Sequence, residues 1–203
     1  TTYIVTATDA NGCTGVASVV VTVNTNPIAN AGQDVSICEG GCTTLTATGG
    51  TMFVWSTGET MGSITVCPTA TETYYVTVTD NNGCTDDDYV TVTVNPLPYA
   101  DAGPDVGICL VFLDRLTATG GMYYEWSTGD QTDVITVCPQ VTTMYYVTVT
   151  SADGCSAVDD VTVTVNSLPV ADAGADATIV FGTSVILNGS ATGNGPFTYL
   201  WTP

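Results

Sequence analysis

The chain is 203 residues long and carries 16 Asp and 4 Glu against a single base, Arg115, with no Lys and no His, for a formal charge of −19. Phosphate binding is driven by clustered Lys and Arg that release counterions, so nucleic acid is excluded as a natural partner, and anionic membrane surfaces with it. Without Lys and His there is no imidazole base, no Ser-His-Asp or Cys-His nucleophile, no Schiff-base amine, no lysine–asparagine isopeptide cross-link and no His-ligated metal.

In chain order, Tyr3-Ile4-Val5 begins a strand, and Gly12-Cys13 follows it. From about Pro27 to Asn95 the pattern lays out a whole unit. Val35-Ser36-Ile37 is a short first strand, A, and Thr44-Leu45-Thr46-Ala47 a second, B, before the Gly49-Gly50 turn. Phe53-Val54-Trp55 is the third, C, ended by Ser56-Thr57-Gly58. Ser63-Ile64-Thr65-Val66, E, is stopped by Pro68, which has no N–H to donate to a ladder. Tyr74 to Thr79 (F) and Tyr89 to Val94 (G) alternate Val with Thr, and Asn82-Gly83 between them is a hairpin signal. The period of two predicts Val76 and Val78 on a buried face and Thr77 and Thr79 outside. No helical apolar period appears, and turns every eight to twelve residues argue for an all-β sandwich.

The unit repeats. Gly12-Cys13, Gly83-Cys84 and Gly154-Cys155 recur at a step of 71 (84 − 13 and 155 − 84), and Cys38/Cys109, Trp55/Trp126 and Cys67/Cys138 keep it. Such a period marks small units stacked in an array. The expected division is residues 1–26, the F–G half of a repeat; 27–96 and 97–167, two whole repeats; and 168–203, an A–B–C half ending at Trp201. Units of about 70 residues lie near the lower limit for a self-supporting core, so a staple is expected.

No run of 18 apolar residues occurs, which predicts no direct membrane insertion, and no signal peptide is evident, which reads as a mature product or a window of a longer chain. Eight Cys without CxxC spacing or His read as disulfides made in an oxidising, extracellular compartment. Paired carboxylates leave a glycosidase-like acid/base pair as a formal option, but the same Asp positions recur in each unit near linkers, so no enzyme is expected.

Leu97-Pro98-Tyr99-Ala100-Asp101-Ala102-Gly103-Pro104-Asp105, Trp126-Ser127-Thr128-Gly129 and Tyr74-Tyr75-Val76-Thr77-Val78-Thr79-Asp80-Asn81-Asn82-Gly83-Cys84 resemble the Ig-like repeats of very large Bacteroidota surface proteins, such as gliding-motility adhesins and other type IX secretion cargo. Residues from Pro169 through Ile186-Leu187-Asn188-Gly189-Ser190 to Trp201 resemble a PKD domain, with Thr192-Gly193-Asn194-Gly195 in place of its acidic turn. The resemblance implies tandem immunoglobulin-like (PKD-like) β-sandwiches acting as a rigid spacer in an extracellular bacterial filament or adhesin stalk, for surface attachment or motility. Independently of that resemblance, the sandwich pattern puts Trp55, Trp126 and Trp201 on the third strand, where a sandwich keeps its central aromatic, and Tyr74 and Tyr145 open the F strand in a Tyr-x-Val arrangement that resembles the tyrosine corner of immunoglobulin-like domains.

In an Ig-like sandwich the A–B and E–F loops share one end. That placement predicts Cys38–Cys67 and Cys109–Cys138 within units and Cys42–Cys155 across a joint, leaving Cys13 and Cys84 to partners elsewhere. The rival scheme joins Cys38 to Cys84 and Cys109 to Cys155. Each joint gathers acid: Asp101, Asp105, Asp153, Asp172 and Asp176 are candidate calcium ligands, with Asn30 where Asp101 and Asp172 stand. Asp86-Asp87-Asp88 and Asp159-Asp160 are expected to keep strand ends in water. The partners implied are neighbouring repeats of the same chain or identical subunits of a fibre, the latter through strand complementation between a 1–26 half and a 168–203 half. The competing class is a carbohydrate-binding appendage, for which Tyr123, Tyr124 and Phe112 are the candidate platform.

Overall fold

The computed structural model describes residues 1–202, and all its helical or strand structure is β. The strands are β1 (Thr2–Thr8), β2 (Thr14–Val20), β3 (Val35–Cys38), β4 (Thr43–Thr46), β5 (Met52–Trp55), β6 (Ser63–Val66), β7 (Glu72–Thr79) and β8 (Thr85–Asn95). The same succession follows as β9 (Val106–Cys109), β10 (Asp114–Thr117), β11 (Tyr123–Trp126), β12 (Val134–Val137), β13 (Thr143–Thr150) and β14 (Ser156–Asn166), then β15 (Val170–Asp172) and β16 (Ser190–Thr192). The chain divides into two units, residues 1–96 and 97–203.

Each unit holds one immunoglobulin-like sandwich. In the first, β3-β8-β7-β5 form a four-stranded sheet that faces the two-stranded sheet β4-β6; β3 runs parallel to β8 and every other pair is antiparallel. The second repeats this with β9-β14-β13-β11 against β10-β12. The six expected strands A to G are therefore β3 to β8, with ends within a few residues of the pattern.

The Val/Thr alternation decides the faces. On β7, Tyr74, Val76 and Val78 are buried, while Thr77 and Thr79 are half-buried on the other side. With Val90 and Val92 of β8, Leu45, Ile64, Val66 and Trp55, they make the core of the first sandwich. Val147, Val149, Val161, Val163, Leu116, Ile135 and Trp126 make that of the second. Fully burying a Val or Leu side chain contributes roughly 1.5–3 kcal/mol, so these few strands supply most of the cohesion. The indole N–H of each central Trp is satisfied within its own loop: Trp55 Nε1 donates to the Met61 carbonyl at 2.9 Å, and Trp126 Nε1 to Thr132 at 3.0 Å.

The turn before β5 needs glycine. Gly49 has φ +108°, and a Cβ there would strike the Ile28 carbonyl oxygen; Gly120, with φ +103°, stands in the same relation to Tyr99. Neither the left-handed backbone nor the close approach admits a side chain.

At the start of the chain the expected F and G strands pair as a hairpin, whereas residues 168–202 depart from the expected pattern. β1 and β2 form an isolated hairpin whose residues are all exposed. Between residues 168 and 202, where three strands A, B and C are expected, only β15 and β16 pair, and Trp201 is not in a strand. Strands form when a partner takes their N–H and C=O groups.

Candidate functional site

The recurring chemistry of each sandwich is a set of carboxylates that tie the entering chain to the last strand. Asp86 and Asp88 of β8 face Val78 and Val76 of β7 in register, so they lie on the core side of the sheet. There the Ala29 N–H donates to Asp86 Oδ2 at 2.9 Å and the Ala31 N–H to Asp88 Oδ2 at 2.8 Å. In the second sandwich the Ala102 N–H donates to Asp159 Oδ2 at 2.8 Å. Traffic also runs the other way: Thr91 N–H donates to Asp34 Oδ1 and Thr162 N–H to Asp105 Oδ1, both at 2.8 Å. Charge-assisted bonds of this kind are roughly twice as strong as neutral ones.

These bonds correct the expectation for the acid runs. Asp86, Asp88 and Asp159 are half-buried acceptors inside the ladder; Asp87 and Asp160, pointing the other way, remain exposed. The period of two that exposes one Asp turns its neighbour inward, and the recurrence of Asp88 at Asp159 was the signal available in the sequence.

The candidate calcium ligands are not brought together. Asp101 Oδ1 accepts the Gly103 N–H and Asp172 Oδ1 the Gly174 N–H, each at 2.8 Å, in local turns that Asn30 makes with Gly32. Asp105 is taken by Thr162, while Asp153 and Asp176 are exposed. Among the described residues no three His, Cys, Asp or Glu side chains are placed to hold a metal ion. The reason is geometric: an Asx turn aims its carboxylate at its own backbone, two residues on.

The cysteine pairing also differs from expectation. Cys42 and Cys67 are bonded, with Cα atoms 4.2 Å apart. Thr43 pairs with Val66 in the β4–β6 ladder, so Cys42 and Cys67 are the next opposed position, whereas Cys38 ends β3 on the other sheet. Cys38–Cys67 and Cys42–Cys155 are thereby overturned. Cys38 and Cys155 are each disulfide-bonded. Cys109 and Cys138 are exposed thiols and not the expected bridge, and Cys13 and Cys84 are thiols too, which removes the rival scheme. In the second sandwich Asp114 pairs with Val137, so the residue opposite Cys138 is Leu113. The substitution of Leu for the Cys42 equivalent leaves Cys138 without its cross-strand partner.

At the hairpin turn after β7, Asp80 Oδ1 accepts the N–H groups of Asn82 and Cys84. Desolvation pushes the Asp80 carboxyl up, but the donors from Cys84, Asn82 and Gly83 outweigh it together and hold it below the ordinary value. Asp9 makes the same turn with Asn11 and Cys13, and Ser151 replaces it before Cys155.

Tyr74 does not reach back to an upstream backbone carbonyl as a tyrosine corner does: its hydroxyl donates to the Glu72 carboxylate at 2.9 Å. Burial, then the hydrogen bond and charge of Glu72, push the phenol up to about 12. Burial foremost, with the Cys138 sulfur, raises that of Tyr145.

The expected sugar platform is not planar. Tyr123 and Tyr124 are successive on β11 and point to opposite faces, Tyr123 outward beside an open cleft of about 280 Å³ and Tyr124 packed against the core, its hydroxyl donating to Gly121. Phe112 is exposed in the β9–β10 loop. Trp55 and Trp126 are buried as expected; Trp201 is half-exposed. The aromatic pair that the sequence pattern does not single out is Tyr75 and Tyr89, opposed on the outer face with ring centroids 5.9 Å apart.

No family model and no curated protein matches the chain. Among solved structures it is similar to titin domains I67–I69 (13% identity, TM-score 0.40, covering 73% of this chain and 68% of that one). It is also similar to extracellular domains 3–5 of Drosophila OTK (11%, 0.42, 81% and 70%). A third is the Ca²⁺-stabilized adhesin described as helping an Antarctic bacterium reach out and bind ice (17%, 0.39, 85% and 59%).

Proposed function

We propose that this chain is a structural, non-enzymatic repeat region of an extracellular bacterial filament or adhesin stalk. In this reading residues 27–96 and 97–167 are whole spacer units, 1–26 and 168–203 are halves of further units, and the partners are neighbouring repeats or identical subunits. The observation that carries it is the 71-residue recurrence of the same latches: Ala31–Asp88 with Ala102–Asp159, and Asp34–Thr91 with Asp105–Thr162. Each latch joins the entering chain to the strand that leaves, so pulling on the two ends of a sandwich loads the parallel β3–β8 or β9–β14 pairing and these charge-assisted bonds in shear. Asn95-Pro96-Leu97-Pro98 is a short, proline-stiffened connection, the composition of a semi-rigid spacer. A net charge of −19 keeps such a fibre soluble.

Single-molecule stretching of the chain tests this. Two discrete unfolding events, one per whole sandwich and both weakened by Asp34→Ala together with Asp105→Ala, are expected. Smooth extension without discrete events would overturn the spacer reading.

A further inference from the structure

The second sandwich departs from the first in a group of residues at the turn from β9 to β10. That turn keeps the backbone bond of its counterpart: the Phe112 N–H donates to the Cys109 carbonyl as the Gly41 N–H does to that of Cys38. Its side chains do not correspond, because at the 71-residue step Leu110-Val111-Phe112-Leu113 replaces Glu39-Gly40-Gly41-Cys42. Val111 has φ 68° where Gly40 has φ 80°, so a β-branched side chain is held in left-handed backbone that glycine takes without strain. Val111, Phe112 and Leu113 are 61%, 59% and 69% exposed. Glu39, Gly40 and Cys42 are exposed too, with a whole sandwich following them in the chain, so the exposure belongs to the turn itself.

The turn leads into Arg115, which replaces Thr44 and projects from the outer face of β10, opposite to buried Leu116. Arg115 is the one base in a chain of 16 Asp and 4 Glu, and among the described residues its guanidinium makes no ion pair. A strained apolar tip beside an unpaired cation suits a carboxylate set in apolar surface.

The first sandwich carries such a surface. On the outer face of β5, β7 and β8, Asp87 lies two residues from Tyr89, Tyr89 opposes Tyr75, and Val54 and Asp87 both oppose Thr77. All four side chains, Val54, Tyr75, Asp87 and Tyr89, are exposed. The second sandwich does not repeat the patch: Glu125 replaces Val54, Val158 replaces Asp87 and Asp160 replaces Tyr89. Two copies at −19 each repel over most of their surface, and Arg115 is where one offers the other an opposite charge.

We propose that copies of this chain associate through these two surfaces, the 111–113 tip and Arg115 of one copy seated on the face of another that carries Asp87, Tyr75 and Tyr89. The Arg115 guanidinium pairs with the Asp87 carboxylate beside the tyrosine rings, and Phe112 packs against Val54. The two surfaces differ and every copy has both, so the contact is heterologous and runs on beyond a pair. A patch of this size makes a contact of the small, weak class, below about 1,200 Å². The contact goes beyond the spacer reading, since it concerns how copies meet and not how one chain bears load.

Sedimentation of the full chain, its exposed thiols alkylated, at concentrations up to about 1 mM tests it. The wild-type chain associates as concentration rises. Arg115→Glu, Asp87→Arg and Phe112→Ser, all at exposed positions, are each expected to weaken association at least about tenfold. Asp87→Arg does so although it lowers the net repulsion between copies. An equimolar mixture of Arg115→Glu and Asp87→Arg regains association, because the intact tip of one meets the intact face of the other, which misfolded variants would not do. A wild-type chain that stays monomeric, association that survives any of the three substitutions, or a mixture no better than its parts overturns the contact. None of those outcomes touches the stretching behaviour of the whole sandwiches, so the two readings fail separately.

Discussion

The Ala31 N–H and the Asp88 carboxylate meet at 2.8 Å across 57 residues of sequence, and Ala102 and Asp159 repeat the distance and the separation. Ala31 and Ala102 are themselves buried, so their amides have no access to water in exchange. A polar group in that position must keep its partner or lose the free energy of solvation it left behind.

Asp88→Ala is therefore expected to destabilise the first sandwich by about 1–3 kcal/mol, the cost of a buried donor left unmade. Asp87→Ala, one residue away on the exposed face, is expected to stay within about 0.5 kcal/mol of wild type. Urea titration of both variants checks the contrast; equal losses would show that the acid run acts by charge alone.

Cys42 and Cys67 enclose a separation of 25 residues, for which the chain-entropy estimate is roughly 3–4 kcal/mol. Cys42→Ser should lower the stability of the first sandwich by that order and leave the second unchanged. Conversely, Leu113→Cys places a thiol opposite Cys138 in the β10–β12 ladder and is expected to form the equivalent bridge. Peptide mapping without reductant checks it, and an introduced thiol that remained open to alkylation would contradict the register argument.

Gly49→Ala combines a positive φ with a Cβ driven into the Ile28 carbonyl oxygen, whereas Gly58, at φ +92°, has nothing within 4 Å of the place a Cβ would take. Gly58→Ala should cost about 1–2 kcal/mol from the backbone alone. Gly49→Ala should exceed it by at least about 1 kcal/mol, since backbone must move. Thermal melts of the pair separate the two contributions.

Tyr74 has its phenol raised to about 12 in the fold, against an unfolded value near 10.0. A raised folded value means that the native state holds its proton longer than the unfolded chain does. The stability this supplies is complete below about pH 10 and is lost as pH climbs through about 12. Circular dichroism along an alkaline titration should show unfolding in that window, and Tyr74→Phe should make the first sandwich less sensitive to it.

The strand order, the buried Val76 and Val78 and the two central tryptophans were legible from residue pattern, because a period of two and a recurrence of 71 act locally and repeat. The partners of the cysteines were not. Cys38, the last residue of β3, and Cys42, four residues on in the turn that crosses to the other sheet, are so close in sequence that spacing puts both near Cys67, and the β4–β6 register selects Cys42. The acids divide likewise: composition says that the joints are acidic, but the facing of β8 and β14 decides that Asp86, Asp88 and Asp159 accept backbone N–H groups. Sequence by itself determined an all-β repeat without the residues of imidazole or amine chemistry. Only the tertiary structure decided which sulfurs meet and which carboxylates are occupied, since register is a relation between strands far apart along the chain.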